Sequence, residues 1–305
     1  MMKSKKKFEN DREIELFVKE CELDFETRLE NAVLRACDDS NIRLITLSGP
    51  TCAGKTTTAK KLTQHLTSLG KKVHIVSIDD FFYDKDVLEA MADMDPDVEI
   101  DYDSEDTIDI EALAACIDQV FDDNGPTRIP KFDFLSGKRV GYTEIDPDGN
   151  EFFVFEGIQA VYPKVTALFH EFAYKSLYIN VESAIDVEGT VFEPNEIRLM
   201  RRLVRDYNFR GAAPEFTFYL WDSVRNNEEL NIFPNSLECD YYINSTLPFE
   251  INLLKPYLVD VLNKMPQNDV HIEKAKQLLK KMEGIEPISK SFISDNSLYY
   301  EFLKR

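Results

Sequence analysis

Residues 44–66, "LITLSGPTCAGKTTTAKKLTQHL", decide how this chain is read. An apolar segment, Arg43-Leu44-Ile45-Thr46-Leu47, reads as a buried strand. Residues 57–69 follow with Leu62, Leu66 and Leu69 at the spacing of one helix face. Between them, residues 49–56 fit G-x-x-x-x-G-K-[ST], a loop whose backbone N–H groups cradle phosphate oxygens at a helix N-terminus. Nucleotide contact is expected at Gly49, Pro50, Thr51, Cys52, Ala53, Gly54, Lys55, Thr56 and Thr57. In such a loop Lys55 reaches the β- and γ-phosphates of ATP and the Thr56 hydroxyl ligates Mg²⁺. The bound phosphate could be a timer, a fuel, or a group handed to a small molecule.

The 305 residues suffice for one large α/β domain with an ample core. A net charge of -20 argues against a nucleic-acid surface, which needs clustered Lys and Arg. The basic tip "MMKSKKK" runs straight into "FENDREIE", with no apolar signal core behind it. No apolar run approaches the ~20 residues of a membrane helix. Five separated cysteines (Cys21, Cys37, Cys52, Cys116, Cys239) without a C-x-x-C pair read as reduced thiols, and a cytoplasmic protein is expected.

Residues 13–37 carry a lead-in helix pattern. Further apolar runs lie at "KVHIVSI" (72–78), "FFVFEGI" (152–158), "KSLYINV" (175–181) and "CDYYINS" (239–245). Helical patterns separate them at 108–121, 195–209, 214–224 and 248–262. This alternation predicts an α/β fold with a doubly wound, mostly parallel, five-stranded sheet. Ligands of such sheets gather at the carboxyl ends of the strands, where Gly49, Asp79 and Glu156 all fall. Residues 129–150, rich in glycine and β-formers, suggest a substrate-loop hairpin. The expected organisation is a helical lead-in over 1–40, a P-loop domain over 41–265, and a C-terminal helix and tail over 266–305. The tail has no chemical assignment beyond docking on the core.

Three features could carry chemistry. In "SIDDFFYD", Asp79 and Asp80 follow a strand at the edge where the phosphate loop opens. A carboxylate there can take a proton from an attacking hydroxyl, hold Mg²⁺ through water, or cap a helix, and spacing alone leaves these open. Glu156, at the end of another apolar strand, is placed to face a metal across the loop. In "NEIRLMRRLVRDYNFRG", Arg198, Arg201, Arg202 and Arg205 share a helix face, with Arg210 beyond. Guanidinium forks suit the charge of a transferring phosphoryl group. The alternative is a helix held by salt bridges to Glu193, Glu196 and Asp206. The acidic stretch 93–109 lacks the glycine of a calcium loop and reads as a solvated loop.

Taken in order, these pieces resemble the uridine kinase and phosphoribulokinase family of P-loop kinases over roughly residues 42–258. The arginine helix and the segment after it are closest to a bacterial uridine kinase-like branch. The resemblance implies the P-loop nucleoside triphosphate hydrolase fold, ATP and Mg²⁺ as cofactors, and an arginine-rich lid helix. It places Asp79 as the base, and Asp103, in "DYDSEDTIDI", on the sugar hydroxyls of the acceptor. "IPKFDF" is similar to the substrate-loop strand and "FVFEG" to the metal-side acidic motif. Where uridine kinases read the pyrimidine with a Tyr and a His, this chain has Phe132 and Gly137, which offer no side-chain hydrogen bond.

The expectation is therefore an ATP-dependent kinase acting on a hydroxyl of a small molecule, with uridine or cytidine first. The catalytic residues are Asp79, Lys55, Arg198 and Arg201, the metal residues Thr56 and Glu156. Substrate contacts fall on Asp79, Asp103, Phe132 and Arg198. A non-nucleoside acceptor, or an ATP-binding regulator with slight turnover, are the alternatives. No nucleic acid or membrane partner is expected, and a homo-oligomer stays open.

Overall fold

The computed structural model describes residues 1–39, 41–93, 104–121, 125–147 and 149–305. In chain order, β1 (Met2–Ser4), α1 (Asp11–Ala36), β2 (Leu44–Ser48), α2 (Lys55–Ser68) and β3 (Val73–Ser77) come first. Next are α3 (Lys85–Asp93), α4 (Ile110–Phe121), the hairpin β4 (Thr127–Asp133) and β5 (Lys138–Ile145), β6 (Phe152–Glu156) and α5 (Pro163–Phe169). Then follow β7 (Tyr174–Asn180), β8 (Ile185–Val187), β9 (Thr190–Phe192), α6 (Pro194–Arg210), α7 (Pro214–Asn227) and α8 (Phe233–Ser236). β10 (Tyr241–Asn244), α9 (Glu250–Leu262) and α10 (Ile272–Lys281) complete the set.

The five expected strands form one sheet in the order β10-β7-β2-β6-β3, parallel throughout. Parallel strands need helical crossovers, which cover both faces. The central strand β2 is accordingly buried at every position. Alternate side chains feed two apolar clusters, as the period of two requires. Ile45, Leu47, Phe152 and Val154 join α1, α2, α6 and α9 on one face. Leu44, Phe153 and Phe155 join α4 and α5 on the other.

The segments at either end share this core. Phe25, Leu29 and Val33 of α1 pack in the same cluster as Leu278 of α10 and as Tyr299, Phe302 and Leu303. β1 pairs in parallel with β8, a short strand that composition did not reveal. Among the described residues no helix is long and apolar enough to cross a membrane.

Candidate active site

The loop between β2 and α2 can follow its path only with glycine at two points. A Cβ at Gly49 would lie 2.1 Å from the Ile179 carbonyl oxygen, so the loop and β7 could not approach as they do. Gly54 has φ +98, in the left-handed region that glycine enters at little cost. Cys52 is also left-handed, at φ 59, and is buried. Lys55 Nζ folds back over the loop, donating to the carbonyls of Gly49 (2.8 Å) and Pro50 (3.1 Å).

Above the loop lies a cavity of about 680 Å³. Its walls bring together Thr51, Cys52, Lys55, Thr56, Asp79, Glu156 and Phe132 from the sequence reading. A second cleft of about 500 Å³, lined by Tyr207, Tyr257, Asp260 and Lys290, lies elsewhere and gathers no comparable set.

The adjacent aspartates divide their tasks. Asp79 lines the cavity and accepts a hydrogen bond from Gln159 Nε2 at 2.9 Å, which fixes its carboxylate. Asp80 instead accepts from the backbone N–H of Phe132 at 2.9 Å, tying the β4–β5 hairpin to the end of β3. Burial raises the Asp79 carboxyl above its ordinary range, opposed by the Gln159 hydrogen bond and Lys55. Burial, with repulsion from Asp79, pushes Glu156 up to about 7. Lys55 is pushed down by desolvation, against the attraction of Glu156, Asp79 and Glu301. Lys55 thus faces three carboxylates, those of Glu156, Asp79 and Glu301. The Thr56 hydroxyl and Glu156 would hold Mg²⁺. Among the described residues no three His, Cys, Asp or Glu side chains form a metal cage. Mg²⁺ generally keeps several waters and leans on substrate phosphates.

The arginine helix divides into two sets. Arg198 and Arg201 were expected on the transferring group, but both turn away from the cavity and are buried, 1% and 0% exposed. Arg198 pairs with Glu228 (Nη2 to Oε2, 2.7 Å) and donates to Thr51 O at 3.2 Å. Arg201 forks onto Glu250 (Nε to Oε2, 2.7 Å; Nη2 to Oε1, 3.0 Å) and donates to Cys52 O at 3.2 Å. Both therefore support the phosphate loop from beneath. Arg202, Arg205 and Arg210 are the arginines that line the cavity. All three converge on Asp206, with Arg205 Nη2 at 2.7 Å, Arg202 Nε at 3.2 Å and Arg210 Nε at 3.6 Å. Three guanidiniums on one carboxylate leave the wall positive. Arg201 and Arg202, adjacent in sequence and about 100° apart around the helix, fall on different sides of this division.

The β4–β5 hairpin and the turn between its strands form another wall of the cavity. Phe82, Phe132 and Phe134 form an aromatic wall, their centroids 5.3 to 6.1 Å apart. Arg139 locks the hairpin, donating to the carbonyls of Phe81 (3.0 Å) and Phe82 (3.1 Å) and to Asp109 (3.0 Å). Gly137 lines the cavity without a side chain. Asp103 lies outside the described residues. Two cavity residues gave no signal in the sequence: Gln159, three positions after Glu156, and Glu301, from the C-terminal segment.

Inorganic pyrophosphatase TTM1 of Arabidopsis thaliana is 26% identical over 191 residues, covering 60% of this chain and 25% of the relative. Uridine-cytidine kinase C of Dictyostelium discoideum is 24% identical over 181 residues, covering 59% of this chain and 34% of the relative. The chain thus spans about a quarter to a third of the length of these curated relatives. Among solved structures, a putative fructose transport system kinase from Silicibacter sp. TM1040 aligns with TM-score 0.48 at 19% identity, covering 71% of this chain and 98% of that one. The Phosphoribulokinase / Uridine kinase family model matches residues 44–246, and with the phosphate loop, strand-end acids and arginine helix in place, this chain belongs to that family.

Proposed function

We propose that this chain transfers the γ-phosphoryl group of ATP to a hydroxyl of a small molecule, with uridine or cytidine as the leading acceptor. The observation that carries the reading is Asp79, held by Gln159 in the same cavity as Lys55, Thr56 and Glu156. A new bond forms between the acceptor oxygen and the γ-phosphorus, and the bond from that phosphorus to the ADP oxygen breaks. Asp79 accepts the hydroxyl proton. Lys55 and the wall of Arg202, Arg205 and Arg210 meet the charge that spreads over the transferring group. Thr56 and Glu156 would hold Mg²⁺, which would supply charge neutralisation to the polyphosphate.

The aromatic wall favours a second reading, the same chemistry on a non-nucleoside acceptor. Phe82, Phe132 and Phe134 offer ring faces and no side-chain hydrogen bond to a base. A site that hydrogen-bonds its substrate rejects analogues strongly, whereas an apolar one discriminates weakly. Nucleoside activity should therefore tolerate a change of base, with uridine and cytidine differing by less than about tenfold in kcat/KM, or ~1.4 kcal/mol. An ADP-release screen over nucleosides, sugars and vitamins tests both readings. Activity on uridine and cytidine supports the first, and activity confined to other hydroxyl compounds moves the enzyme to the second. ADP release that no acceptor accelerates would refute a kinase.

A further inference from the structure

The far end of the chain reaches the phosphate loop. The opening amides of α2 have no acceptor one turn back inside the helix. Thr58 N–H finds the Gly54 carbonyl at 3.0 Å, just before the helix. Thr57 N–H donates instead to Glu301 Oε2, at 3.1 Å, across 244 residues of sequence.

The segment carrying Glu301 is fixed. Tyr299, Phe302 and Leu303 are fully buried. The Leu298 side chain covers the loop so closely that a Cβ at Gly54 would meet its Cδ1 at 2.5 Å. Asn208 Nδ2 of α6 donates to the Phe302 carbonyl at 3.0 Å. Glu301 itself is only half-buried and lines the cavity, so its side chain can turn while its backbone stays.

A helix N-terminus with unpaired amides favours an anion, and in this loop the anion is a nucleotide phosphate. Glu301 already supplies one. Its charge adds to those of Asp79 and Glu156 around Lys55. One N–H cannot serve a carboxylate and a phosphate oxygen at full strength.

The geometry points to Glu301 as an affinity-determining residue of the nucleotide site, a carboxylate that competes with a nucleotide phosphate for the Thr57 amide and must swing aside for it. The inference rests on the proposed nucleotide-binding role of the loop. It makes a distinction that packing alone would not: the competition concerns phosphate, so a ligand without phosphates escapes it.

Calorimetric titration of the full chain with ATP plus Mg²⁺, and separately with adenosine, tests this in wild type, Glu301→Ala and Glu301→Gln. Both variants should bind ATP about tenfold more tightly or better, while adenosine affinity stays at the wild-type value. Glu301→Gln, of nearly unchanged shape, carries the test if the alanine variant folds poorly. Unchanged or weaker ATP affinity in a folded variant, with wild-type binding intact, overturns the inference. Equal tightening of ATP and adenosine also overturns it, by pointing to relief of crowding. Failure of wild type and variants alike to bind ATP would instead refute the nucleotide reading.

Discussion

Replacing Arg201 with alanine should damage the fold far more than the chemistry. The guanidinium is fully buried, forks onto an equally buried Glu250, and donates to the carbonyls of Cys52 and Ser245. It also lies 5.7 Å from the Tyr299 ring and 5.4 Å from that of Phe302. Truncation strands Glu250 as an uncompensated buried charge, and breaking such a pair costs about 3–5 kcal/mol. At roughly 2 °C per kcal/mol for a chain of this size, the melting temperature should fall by about 6–10 °C. Differential scanning calorimetry measures this directly. The double replacement Arg201→Met with Glu250→Leu should recover most of the loss, because an apolar pair of similar volume is often neutral. A folded Arg201→Ala protein with an unchanged melting temperature and a hundredfold lower kcat would refute the reasoning, and return Arg201 to the transferring group.

Other outcomes follow from the site. Asp79→Asn should lower phosphoryl transfer by about 10²–10⁴-fold with ATP affinity kept, the range of a lost general base; Asp80→Asn should act mainly on acceptor KM, since Asp80 holds the hairpin, and steady-state kinetics would expose the reverse assignment. Arg205→Ala should depress kcat more than it weakens ATP binding, because the charge it meets develops during transfer. Glu156 titrates near 7 in the fold against an ordinary 4.5, so between those values the folded chain holds more protons than the unfolded one. Its contribution to stability is therefore present at low pH and lost as pH rises towards 7. Glu156→Gln should gain stability over wild type across that window, and thermal melts over about pH 5 to 8 would read the crossing.

The sheet was legible because parallel strands buried on both faces are written as short apolar runs, and each of the five runs became a strand. The phosphate loop, Asp79 and Glu156 were legible for the same reason, as strand-end positions on one edge. The arginine helix was readable as a face but not by its tertiary partners, so Arg198 and Arg201 were expected at the transferring group, whereas both are buried against carboxylates beneath the loop. Their partners, Glu228 and Glu250, lie 30 and 49 residues away, and no local pattern announces them. Gln159 and Glu301 were invisible because each acts through tertiary contact alone.

The tethering of the hairpin to the end of β3 bears on how specificity could be changed. Asp80, Asp84 and Arg139 join the hairpin, at Phe132 and Arg139 beside its turn, to the segment that carries Asp79. Beyond these anchors Phe134 and Leu135 stand 66% and 96% exposed at the tip. Of the turn residues, Gly137 is held by the Lys85 N–H at 2.8 Å, whereas Phe134 and Leu135 project outward. On the proposed function, replacing Phe134 and Leu135 should alter acceptor choice while leaving Asp79 in register, whereas a graft that included Gly137 and Arg139 should disturb the Asp79 edge as well.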